Sequence, residues 1–124
     1  MQSINSKNAP APIGPYSQAI EVNGFIYTSG QIALSAKSGE IVSDNLEDQV
    51  HQVIKNLQSV LQAGGSDLNK VVKTTIFLAN MNDFVKVNEI YSTYFNESKP
   101  ARSTVEVSCL PKNVLVEIDC VAVI

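Results

Sequence analysis

What this chain of 124 residues lacks removes most of the usual catalytic equipment. It has one histidine, His51, and two cysteines, Cys109 and Cys120, so neither a zinc site of ordinary spacing nor a Ser/His/Asp arrangement can be assembled. No glycine-rich loop leads from a strand into a helix to cradle phosphate, because Gly64-Gly65 closes a helical stretch instead of opening one. No metal and no cofactor is therefore expected.

Charge of one sign is also scarce. Nine basic residues are scattered among twelve acidic ones, for a formal net charge of -3, and no basic stripe exists. A nucleic-acid partner, which needs clustered cations, is not expected. The amino terminus, Met1 to Lys7, carries neither the apolar run of a secretion signal nor the arginines of a mitochondrial presequence, and no stretch is long enough to cross a bilayer. A cytoplasmic protein without a membrane partner is the expectation. Both cysteines fall in apolar, strand-like stretches, and reduced thiols are expected in preference to a bridge.

Arginine is the most informative scarcity. There is one, Arg102, in the run Lys99-Pro100-Ala101-Arg102-Ser103-Thr104, and every other fixed positive side chain is a lysine. Where a solvated cation suffices, lysine serves. A guanidinium used once points to a place that needs its planar fork of donors, which grips a carboxylate or phosphate bidentately.

What is present reads as one domain over residues 1–124, without repeats, linkers or low-complexity segments. Ser17–Val22 and Phe25–Gln31 flank Asn23-Gly24 as a hairpin, with Gly30 permitting a bulge or a close approach. Asp44 with Glu47 predicts a capping box for a helix over Leu46–Ala63, whose Leu46, Val50, Val53, Ile54, Leu57 and Leu61 form a core-facing stripe. His51 lies beside that stripe as a solvated or half-buried structural residue. Val71–Leu78 reads as a strand, and Asn82 or Asp83 caps a second helix over Phe84–Phe95 that must end before Pro100. Asn88 shares that helix's apolar face with Phe84, Tyr91 and Phe95. It is either a residue at the edge of the stripe or a polar group presented to a pocket.

Arg102–Cys109 and Val114–Ile124 complete the set as strands. In the last one Val116, Ile118, Cys120 and Ala122 alternate with Leu115, Glu117, Asp119, Val121 and Val123, and half of the second set is apolar too. The second sheet face is thus expected to be covered by another subunit. The order ββαβαββ, with both helices on one side, predicts an α+β sandwich of two helices on one face of a mixed sheet.

The chemistry left to such a chain rests on Arg102 at a strand start, Glu117 in the next strand, and small polar groups such as Tyr16 and Ser29. The guanidinium can bind a small anion while Glu117, partly desolvated beside Leu115 and Val121, positions and deprotonates a water. That suits an already electrophilic substrate such as an imine, because a peptide or ordinary ester demands more activation than one carboxylate supplies.

At these residues the sequence resembles the RidA (YjgF) family. The likeness runs from Ala11-Pro12-Ile13-Gly14-Pro15-Tyr16-Ser17-Gln18-Ala19 through Tyr27-Thr28-Ser29-Gly30-Gln31-Ile32 and Phe77-Leu78-Ala79-Asn80-Met81. It is most specific at Pro100-Ala101-Arg102-Ser103-Thr104-Val105-Glu106-Val107, Leu110-Pro111-Lys112 and Val116-Glu117-Ile118. The resemblance implies a chorismate-mutase-like fold and a homotrimer whose inward sheets form a barrel, with three sites in the clefts between subunits. It implies hydrolysis of 2-iminobutanoate and 2-iminopropanoate, or their enamines, to the 2-oxo acid and ammonia. Arg102 would pair with the substrate carboxylate and Glu117 would hold the attacking water. Tyr16, Ser29 and Asn88 would line the pocket, and backbone groups near Gly30 and Thr104 would complete it. Many relatives have cysteine where this chain has Thr104, which removes any thiol role there. The alternatives are a trimeric carboxylate-binding regulatory or chaperone-like module that catalyses little, and an RNA-cleaving translation inhibitor, which the acidic charge disfavours.

Overall fold

Asn23 and Gly24 have φ of 53° and 81°, the left-handed pair that a two-residue hairpin turn requires. They join β2 (Ala19–Val22) to β3 (Phe25–Thr28) in the register Val22↔Phe25. The computed structural model describes residues 1–124, and in it this hairpin belongs to a six-stranded sheet. The other strands are β1 (Gln2–Ile4), β4 (Val71–Leu78), β5 (Ala101–Glu106) and β6 (Val116–Val123), in the order β1-β2-β3-β6-β4-β5. Every pairing is antiparallel except β4 with β5, which are parallel and joined through a helix, as a parallel crossover requires.

Two helices, α1 (Leu46–Ala63) and α2 (Phe84–Phe95), cover one face. The architecture is the expected α+β arrangement of two helices on a mixed sheet, with β1 added at its edge. On α1, Val50, Val53, Ile54, Leu57 and Leu61 are fully buried. They meet Ile26, Ile76, Leu78, Val116, Ile118 and Ala122 from the sheet, while Leu46 packs at the margin of the core. Truncating one of these, Leu57→Ala for example, should cost about 2–5 kcal/mol, the transfer loss plus the cavity left behind. The alternation expected of β6 holds along its length, with even-numbered side chains buried and odd-numbered ones half-exposed.

Several local expectations shift. The cap of α1 is Asn45, whose Oδ1 accepts from the Asp48 N–H at 3.2 Å. Asp44 does not form the capping box, and Glu47 instead meets Lys86 of α2 at 3.3 Å. Asp83 occupies the cap position of α2 without a side-chain bond. The chain is turned into that helix one step earlier, where Asn80 Oδ1 accepts from the Asn82 N–H at 2.9 Å. Strand β5 stops at Glu106, which leaves Cys109 exposed in the following loop and not inside a strand. Cys120 is buried on β6, its thiol pushed up to about 12 by burial, and both cysteines are free. His51 is half-buried, and its Nδ1 meets the Tyr94 hydroxyl to tie α1 to α2. No helix is long and apolar enough to cross a membrane.

Candidate active site

Glu117 is the second residue of β6, and its odd position turns it away from the helices. It lines a cavity of about 360 Å³ with Tyr16, Gly30, Gln31, Ile32, Pro111 and Lys112, among others. The loop after β3 is carried across Glu117 by a short antiparallel bridge: the Gln31 N–H donates to Ile118 O at 2.9 Å, and the Ile118 N–H returns to Gln31 O at 3.2 Å. Gly30 therefore sits directly against the acid. A Cβ at that position would overlap Glu117 Oε2 and lie 2.8 Å from its carboxyl carbon. The close approach expected at Gly30 is real, and its purpose is room for a carboxylate.

That carboxylate is uncomfortable. Burial first, and the like charge of Asp119 second, raise its pKa above the ordinary carboxylate value. No cation relieves it, since the chain's ion pairs join only Lys86 to Glu47 and Glu89. A partly desolvated acid with no counterion holds a proton more readily than a solvated carboxylate does.

Buried amides hold the cavity wall, and sequence reasoning missed them. Gln18 accepts from the Ser6 N–H at 2.6 Å and donates to Ser6 O and Pro10 O at 3.2 and 2.9 Å, pinning the amino-terminal segment across the mouth. Asn56, on α1, donates to Ile32 O and Leu34 O at 3.2 and 3.1 Å and fixes the opposite wall. Their signal was an amide embedded among apolar helix or strand positions, which must find partners to be buried at all. Ser29 does not line this cavity; its hydroxyl donates to Ser17 O at 2.6 Å and braces the loop. Tyr16 does line it, and its hydroxyl accepts from the Ile13 N–H at 3.3 Å.

Arg102 lies elsewhere. On β5 it stands opposite Thr74, which is itself opposite Cys120, so its side chain emerges on the helix-covered face. Glu117 stands opposite Phe77, and Phe77 opposite Val105, on the open face. The expectation that the two groups sit on neighbouring strands fails as well, because β4 lies between β5 and β6. Within one chain the guanidinium and the acid do not meet.

What Arg102 has instead is a mounting. Its Nη1 donates to Asn88 Oδ1 at 2.7 Å, and its Cζ lies 5.0 Å from the Tyr91 ring centre and 5.6 Å from that of Phe84. Asn88 is exposed on α2 and, with Arg102, lines a pocket of about 310 Å³. Thr104 follows on the same side of the strand, its hydroxyl buried and without a partner. Because β5 is an edge strand in which the Val107 N–H donates to Leu78 O, the alternate N–H and C=O groups of Arg102 and Thr104 face outward and unpaired. Two half-sites result: an acid in a cavity, and a fixed cation beside free backbone groups.

The Endoribonuclease L-PSP family model matches residues 6–124. A RutC family protein of Pyrococcus horikoshii is 54% identical over 119 residues, covering 96% of this chain and 94% of that one. The mouse protein named 2-iminobutanoate/2-iminopropanoate deaminase is 51% identical over 120 residues, covering 97% and 89%. Among solved structures, E. coli TdcF with bound serine superposes with a TM-score of 0.93 at 35% identity, covering 100% of this chain and 99% of that one.

Proposed function

This chain belongs to the endoribonuclease L-PSP family, the YjgF/RidA family, and from that premise we propose that it is a 2-iminobutanoate/2-iminopropanoate deaminase. The observation that carries the reading is Glu117: a half-buried carboxylate, unrelieved by any cation, facing a cavity in which Gly30 leaves it space. The acid takes a proton from water, and the water oxygen attacks the imine carbon. The nitrogen receives that proton back to give the carbinolamine. The Glu117 carboxylate then takes the carbinolamine hydroxyl proton and passes it to the nitrogen as the C–N bond breaks and the C=O bond forms, so ammonia departs and the 2-oxo acid remains. Atoms balance as imine plus water giving oxo acid plus ammonia.

Arg102 holds the substrate carboxylate, and it comes from a second copy of the chain. The separation of the half-sites to opposite sheet faces supports this, because a shared site is the arrangement that uses both. The open face supports it too: Phe25, Tyr27 and Val105 are 40%, 47% and 41% exposed there, apolar surface of the kind that associating copies cover. We assign the assembly as a homotrimer with one such cleft per pair of subunits. Tyr16 and Gly30 line the acid's half, Asn88 and Thr104 the guanidinium's, and Ser29 braces the loop between.

The test is ammonia release from 2-iminopropanoate generated in place. Arg102→Ala and Glu117→Gln should each lower turnover at least about a hundredfold. Refolded together in equal amounts, they should recover about a quarter of wild-type activity, because each shared site draws its two halves independently. Full turnover by either variant defeats the chemistry, and a mixture as inactive as its parts defeats the shared site.

A further inference from the structure

Lys112, exposed to solvent, lines the same cavity as Glu117, yet nothing above gives it a task. It sits in the short Pro111–Asn113 turn between β5 and β6, and its backbone is unusual. Lys112 and Asn113 both have φ of 56°, two successive non-glycine residues in the left-handed region. Such conformations persist where the surroundings impose them, and they gather at ligand clamps. Here the turn is held by the Asn113 N–H donating to Leu110 O at 3.1 Å and the Val114 N–H to Pro111 O at 3.3 Å.

The ammonium makes no ion pair, although a carboxylate lines the same cavity. A cavity lined by an acid and by an exposed lysine, the two unpaired, can take a guest of complementary charges. A 2-imino acid in its protonated form is such a guest, with a cationic C=NH₂⁺ end and an anionic carboxylate two atoms away. Arg102 cannot supply the cation within the chain, since it emerges on the other face of the sheet.

We propose that Lys112 is a substrate-binding residue that draws the anionic end of the imino acid into the cavity while Glu117 faces its nitrogen end. This rests on the deaminase reading and deepens it: the carboxylate is met by two cations, Lys112 of the chain that supplies the acid and Arg102 of its neighbour. A lysine suits the first contact, being a mobile point charge on a flexible stem, and the arginine fork suits the final grip. The site should accordingly discriminate by charge, favouring imino acids over their uncharged amides.

Lys112→Met keeps the stem and removes the charge, and Lys112→Arg restores it. Two readouts are needed: the Kd of 2-oxobutanoate by calorimetry, and kcat and KM with 2-iminobutanoate. Lys112→Met should weaken Kd and raise KM about fivefold with kcat within about twofold, and Lys112→Arg should return both to within about twofold of wild type. The wild-type kcat/KM should also fall with added salt more steeply than that of Lys112→Met. Unchanged Kd and KM in Lys112→Met overturn the proposal, as does wild-type protein that does not bind the oxo acid. Absent turnover by the wild type, with oxo-acid binding that still depends on Lys112, defeats the deaminase reading and leaves Lys112 a carboxylate-binding residue.

Discussion

The two half-sites are built on opposite principles. Around Arg102 the side chains in contact stabilise the charge: an amide oxygen accepts from it and two aromatic rings lie beside it. Around Glu117 the surroundings do the reverse: burial and a second carboxylate disfavour its charge, and no cation pairs with it. One charge is fastened and the other is left unfastened. On the proposed deaminase reading the first is the clamp and the second the proton-transfer group, and each can be perturbed without touching the other.

The sharpest way to break the contrast is Gly30→Ala. The added methyl overlaps the carboxylate of Glu117 but touches no part of the Arg102 half, so the acid must swing out of position while the clamp stays whole. Turnover should fall about a hundredfold, the scale of displacing a reacting group by an ångström. Stability should change by less than about 1 kcal/mol, because a flexible side-chain end gives way and no core atom does. Steady-state kinetics and a melting curve on the same sample check both. Normal turnover would mean that the acid does not need its observed place.

Asn88→Ala tests the other half. It removes the 2.7 Å hydrogen bond to Arg102 and leaves the Phe84 and Tyr91 rings, so the guanidinium keeps its neighbourhood and loses its aim. KM for the imino acid should rise roughly tenfold, as expected for a charge-assisted hydrogen bond, with a smaller effect on kcat. An equal loss in both variants of kcat alone would erase the distinction between clamp and acid.

The contrast was only half legible in the sequence. Helix α1 over Leu46–Ala63, β4 over Val71–Leu78 and α2 over Phe84–Phe95 have the bounds their periodicity predicts, because each is long enough to repeat its pattern several times. Strand β1, at three residues, is too short to show alternation. The singularity of Arg102 and the odd-numbered face of β6 singled out two residues that line separate pockets. Their separation could not be read, since it depends on β4 entering between β6 and β5, a pairing set by tertiary packing and not by any local signal. The partners of Gln18 and Asn56 could not be read for a related reason: they are backbone groups of segments distant in the chain.

The smallest effect is thermodynamic and separates the halves by pH. Glu117 has its pKa raised by burial first and Asp119 second, so the folded protein holds that proton more tightly than the unfolded chain does. The stability due to protonation is complete below the ordinary carboxylate range and is lost as pH rises through the raised value. Glu117→Gln is neutral throughout and escapes this loss. It should melt roughly 1–3 °C above wild type at pH 7, a modest shift because the group is only half-buried, and level with it below the carboxylate range. Arg102→Met, whose parent charge does not titrate between those pH values, should shift the melting temperature by the same amount at both. Melting curves of the three proteins at the two pH values decide it: a gap for Glu117→Gln that does not open with pH would show that the folded chain does not penalise the charged acid.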